Sequence, residues 1–119
     1  MRYIKLFENI DRSYWGDPKF NTEYYRVEIS VGMDQIHFYN ENNILAFWID
    51  KKYTSEFIKF LESDHKKFIY IEYTIDRIDD GFNVYDHNGR RMRCFLNKES
   101  ISDLIEFLET HQYMKKYNL

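Results

Sequence analysis

The sequence predicts an α+β domain of two tandem strand-strand-strand-helix repeats related by a pseudo-twofold, an antiparallel sheet with two helices packed on one face. Three observations lead there. Trp48–Ser63 (WIDKKYTSEFIKFLES) aligns without a gap on Phe95–Thr110 (FLNKESISDLIEFLET) at a constant offset of 47, as in Leu104 on Phe57 (104 − 57). Six of the sixteen pairs are identical, among them Ile58/Ile105, Phe60/Phe107 and Leu61/Leu108; a repeat of this size sets the architecture before any local reading. Upstream of each copy the apolar residues alternate as in strands, and within each copy they recur at helical spacing. Finally, 119 residues with 19% aromatics, four Gly and one Pro make one core's worth of chain with little linker.

Residues 1–119 therefore read as a single domain. The repeats run approximately over 24–64 and 68–115, preceded by an N-terminal strand or leader, 1–9, and a loop, 10–22. The loop holds Gly16, Asp17 and Pro18 and reads as an irregular connection, with Tyr14 and Trp15 pinning it to the body. Tyr24–Val31 alternates, with Tyr25, Val27, Ile29 and Val31 on one face. Gly32-Met33-Asp34 turns the chain into Gln35–Tyr39, and Asn40-Glu41-Asn42-Asn43 turns it again into Asn43–Ile49. Asp50 is placed to cap a helix over Lys51–Asp64, whose apolar stripe is Tyr53, Phe57, Phe60 and Leu61.

The second unit follows the same plan. Phe68–Ile78 reads as one long strand, with Ile69, Ile71, Tyr73 and Ile75 on one face. Asp79-Asp80-Gly81 and Asp86-His87-Asn88-Gly89 are hairpin signals. Phe82–Tyr85 and Arg91–Leu96 are strands, and Asn97 or Ser100 caps a final helix with Ile101, Leu104, Ile105 and Leu108 as its stripe; Ser100 and Asp103 have capping-box spacing.

Charge and motifs narrow the function classes. The net charge of −3 argues against a surface that grips nucleic acid all round, because such binding rests on many phosphate-neutralising side chains. The deficit lies in residues 1–50, with five basic and eight acidic residues, against twelve of each in 51–119, which leaves room for a local basic patch in the second part. A lone Cys94 excludes an intramolecular disulfide and fits a reducing compartment; aligned with Phe47, it reads as a small inward-facing apolar residue. No apolar run reaches the length of a membrane span. None of the common catalytic, phosphate-binding or dinucleotide signatures is present. His37, His65, His87 and His111 read as surface or capping residues, and Asp76, Asp79, Asp80 and Asp86 as turn formers, so no enzyme activity, cofactor or metal is expected.

The N-terminal MRYIKLFEN resembles the capsid-targeting leaders of tailed-phage internal proteins, in which a basic, apolar segment ends in a Leu/Ile-x-Glu cleavage site. Leu6-Phe7-Glu8 matches that tripeptide. The resemblance implies cleavage after Glu8, a phage-encoded protein and packaging in the virion; the other reading of the same residues is an ordinary first strand.

Registering the two repeats yields one candidate site. If Leu45, Phe47 and Ile49 face the helices, then Ile44, Ala46 and Trp48 face outward, and their repeat partners are Arg91, Arg93 and Phe95. His37, Tyr39 and Arg26 join them by parity. A sheet face with Trp48, Phe95, Tyr39, Arg26, Arg91 and Arg93 can stack bases and meet phosphates. In this repeat plan the chain resembles the PUR and Whirly proteins, which bind single-stranded nucleic acid on their sheets, although repeats of that family have four strands and the second unit here reads as three. The other reading of the face is an interface, Trp48 and Phe95 being covered by the N-terminal segment or by a second subunit in a homodimer.

Two functions follow as expectations. One is a small non-enzymatic binding protein, acting on a host protein or sequestering a small host ligand in the host cytoplasm, with no membrane partner. The other is a module binding single-stranded nucleic acid.

Overall fold

The computed structural model describes residues 19–30 and 32–117, and side chains as far as His111. The N-terminal leader with Glu8, the ring pair Tyr14 and Trp15, and Val31 lie outside the described residues. Within them the fold is α+β, with two four-stranded antiparallel sheets and two helices in a tandem layout. The first sheet has the order β1-β2-β3-β4: β1 Lys19–Asn21, β2 Tyr25–Ser30, β3 Gln35–Asn40 and β4 Leu45–Asp50. A 3-10 turn, Lys51–Tyr53, leads into α1, Thr54–Glu62. The second sheet repeats the order with β5 Lys67–Tyr70, β6 Tyr73–Ile78, β7 Gly81–Asp86 and β8 Leu96–Asn97, and a 3-10 turn, Lys98–Ser100, leads into α2, Ile101–Tyr117.

Each unit thus has four strands where the sequence reads as three. Phe68–Ile78 is not one strand: the chain reverses at Ile71-Glu72, and Tyr70 pairs with Tyr73. Neither turn residue is Gly, Asn or Pro, so the reversal carries no local signal; burial of Tyr70, Tyr73 and Ile75 on the inner face sets it instead. The first unit turns in the same way between β1 and β2, part of the segment that reads as an irregular loop. There the Thr22 hydroxyl oxygen accepts from the N–H groups of Tyr24 and Tyr25, each at 3.0 Å.

The repeat extends through both sheets, in three offsets. Lys19-Phe20 and Lys67-Phe68 differ by 48, and both lysines pair across their hairpin with a carboxylate, Lys19 with Glu28 at 3.4 Å and Lys67 with Asp76 at 4.0 Å. Asn40 and Asp86 differ by 46 and build the same turn. Asn40 Oδ1 accepts from the N–H groups of Asn42 and Ile44, and Asp86 Oδ1 from those of Asn88 and Arg90. Asn43 and Gly89 take up the positive φ, 64° and 81°, which these residue types tolerate.

The helices exchange sheets. Phe60 of α1 packs on Phe68 (5.5 Å between centroids) and Phe82 (5.4 Å) of the second sheet. Phe107 of α2 packs on Phe20 (5.7 Å) of the first, where the buried hydroxyls of Ser100 and Tyr25 meet at 2.8 Å. Phe57 bridges both sheets, 5.9 Å from Phe38 and 5.6 Å from Phe68. The core is accordingly continuous across the units. Helix entry differs from expectation: the Asp50 and Asn97 side chains make no capping bond, because a 3-10 turn separates each from its α-helix. Ser100 faces inward, donating to Asn97.

Candidate functional site

The outer face of the first sheet is organised by cross-strand register. Because Val27, Ile29, Ile36 and Phe38 are buried inward, the strand period of two turns Arg26, Glu28, His37 and Tyr39 outward. Pairing then sets two rows: Asn21, Arg26, Tyr39 and Leu45 in one, Lys19, Glu28, His37 and Trp48 in the other. The β3/β4 register shifts between Phe38 and Tyr39, leaving Ala46 as the extra residue. This bulge reverses the expected parity at the start of β4. Leu45, expected inside, is 41% exposed opposite Tyr39, while Ala46, expected outside, is buried. Beyond the bulge Phe47 is inside and Trp48 outside, as the sequence indicates.

The Arg26 guanidinium lies over the Tyr39 ring, 4.0 Å from its centroid. It donates from Nε to Asn43 Oδ1 (3.1 Å) and from one terminal nitrogen to Glu28 Oε2 (2.6 Å). Burial pushes the Glu28 carboxyl up, but the bonds from Arg26 and Lys19 outweigh it and hold the group below the ordinary range. Arg26 is therefore a locked, locally neutralised planar cation. Beside it His37 shares a hydrogen bond with Gln35 Oε1 (2.9 Å) and meets the Tyr39 ring edge to face at 6.3 Å.

The six predicted site residues divide between the units. Arg26, Tyr39 and Trp48 share the outer face of the first sheet. Trp48 leans over the edge of β4 onto Tyr73 (5.5 Å, 82°). Phe95 meets Tyr24 (6.3 Å, 77°), just before β2, so each ring rests against the other unit near the start of its second strand. Arg91 and Arg93 are exposed but do not lie on a regular strand. From 91 to 95 the chain makes a single bridge, Tyr85 to Arg91, before β8 begins at Leu96. Only Arg91 continues a row, that of Ile69, Thr74 and Tyr85 on the second sheet.

Sequence reasoning missed Leu45, which faces Tyr39, and Asn43, which accepts from Arg26, and it passed over Tyr24; Ile44, expected on the outer face with Trp48, instead pairs with the buried Asn40 at the turn and is 61% exposed. The Asn43 signal was present in the Asn-rich turn, but Leu45 was hidden by the bulge. Cys94 is buried as expected, and burial pushes its thiol up to about 12. Among the described residues no group of three His, Cys, Asp or Glu side chains is placed to hold a metal ion, and no helix is long and apolar enough to cross a membrane. No protein-family model, curated protein or solved structure matches the chain.

Proposed function

We infer that the chain is a non-enzymatic binding module that docks a host protein on the outer face of its first sheet. The observation that carries this reading is the Arg26–Tyr39 stack at 4.0 Å, opposite exposed Leu45 and with exposed Tyr24 two residues before Arg26. Rigid aromatic and Arg side chains next to aliphatic ones, with a polar margin of Lys19 and Glu28, match the composition of protein interface centres. A pleated sheet face is open rather than concave, which suits a macromolecular surface better than a small ligand. The leader-like MRYIKLFEN supports a phage origin and packaging in the virion; mass spectrometry of the particle-borne protein should then find Asn9 as its first residue, and an intact Met1 removes that part of the reading.

The test of docking is co-purification from host lysate with wild type and with Tyr39→Ala/Leu45→Glu. Both side chains lie on the outer face, so the variant should keep its thermal melt. A host protein retained by wild type and lost by the variant supports the reading; identical capture by both rejects this face.

A second reading is single-stranded nucleic acid, favoured by the planar Arg26–Tyr39 pair and by the four strands per unit. Glu28 and Asp50 on the same face oppose phosphate. Binding of a short labelled oligonucleotide, weakening with salt and lost in Trp48→Ala/Tyr39→Ala, is its expected result. Absence of binding at low salt removes it.

A further inference from the structure

β5 is an edge of the second sheet, and its backbone is half unused. The Arg77 N–H donates to the Lys66 carbonyl at 2.8 Å, which makes Lys66/Arg77, Phe68/Ile75 and Tyr70/Tyr73 the hydrogen-bonded pairs of the β5–β6 ladder. The N–H and C=O groups of Lys67 and Ile69 therefore point away from β6, and no described strand pairs with them. Ile69 and Ile71 are each 77% exposed, the most exposed large apolar side chains among the described residues. The equivalent edge of the first unit, at offset 48, carries Asn21 and Glu23 in their places. Folding thus does not require an apolar residue at either position. An exposed apolar edge is a template for strand pairing that proteins ordinarily blunt.

We propose that β5 pairs antiparallel with β5 of a second copy of this chain, about a twofold axis at Ile69, joining two second sheets into one. The strand is self-complementary in that register. Ile69 faces Ile69 of the other copy, and Phe68 faces Tyr70, an aromatic cross-strand pair made twice. Lys67 lays its aliphatic stem across Ile71. The alignment keeps like charges apart: the two Lys67 residues sit four positions out of register, about 13 Å along the strands. The outer face of the first sheet is not used, so this assembly is independent of the docking function proposed above.

Light scattering on the full chain across a concentration series tests it. The expected result is a mass rising towards twice the 14.8 kDa of one chain, with Ile69→Lys staying at the monomer mass at every concentration. Ile69→Cys gives an independent readout. Directly opposed hydrogen-bonded residues have Cα atoms about 5.5 Å apart, within disulfide reach, so mild oxidation should produce a covalent dimer through residue 69, with buried Cys94 unmodified. A wild type that remains monomeric throughout, including one that instead takes up an extended peptide at this edge, overturns the proposal. So does a wild-type dimer that Ile69→Lys leaves intact.

Discussion

At the scale of single residues, three positions show how tightly the interior is specified. Phe38 is fully buried, stacked on Phe47 at 4.3 Å and met edge-on by Phe57. Phe38→Ala removes the centre of that cluster and should lower unfolding free energy by about 3–5 kcal/mol in a denaturant titration. Gly81 sits where β8 crosses β7. A Cβ there would lie 2.1 Å from the Leu96 carbonyl oxygen, at a φ of +155°. Gly81→Ala must displace backbone and should destabilise by more than the ~1 kcal/mol typical of point changes. The sequence marks Gly81 as a turn glycine, whereas its necessity comes from a strand fifteen residues later. Glu28 contributes to pH dependence. Its folded-state titration is depressed, so its stabilisation is complete above the unfolded carboxylate range, about 4.3, and is lost as pH falls through the lower folded value. Glu28→Gln should therefore flatten the acid limb of stability against pH, measured by chemical denaturation. An unchanged limb would show that Arg26 and Lys19 do not hold the carboxylate.

At the scale of elements, Arg77 ends α1. Its guanidinium donates to the Phe60 and His65 carbonyls, both at 2.8 Å, and lies over the Phe82 ring at 4.7 Å, so it holds the helix C-terminus to the sheet that α1 covers. Arg77→Ala should cost about 2 kcal/mol by thermal melt, from charge-assisted bonds lost at a half-buried helix end. Arg77→Lys should recover less than half of that, since one ammonium lacks the planar fork. Position 29 of the first unit corresponds to Arg77 and is the buried Ile29, and α2 runs on to Tyr117. Elements of this kind were only partly legible. Helix copies announce themselves because they align at one offset. The strand copies are hidden by loops of unequal length, two residues longer between β2 and β3 than between β6 and β7, and by Asn40 and Asp86, which build one turn from different letters. The Arg26–Tyr39 pair followed from alternation alone, since β2 and β3 pair without interruption. Leu45, Arg91 and Arg93 did not, because a bulge and an irregular segment break the period at the same place in both units.

At the scale of the whole molecule, the exchange of helices decides how it folds. The buried face of the first sheet meets Phe107 of α2 as well as Phe57 of α1, and Phe57 and Phe60 of α1 cover the second, so neither unit builds its core from its own residues alone. Residues 1–64 and 65–119 expressed separately should each lack a cooperative melt and dispersed amide spectrum, and should recover both when mixed. An independently folded half would contradict the exchange. The intact chain should unfold in a single transition. A product carrying one such unit would bury its sheet only by meeting another and trading helices, with stability set by its concentration. Fusing two units replaces that encounter by a short tether, Ser63–Lys66, which sets an effective local concentration no cytosol needs to supply. Dilution then ceases to matter to folding, and the two sheets, no longer encoded by one sequence, are free to diverge: one towards Arg26 and Tyr39 on its face, the other towards Ile69 and Ile71 along its edge.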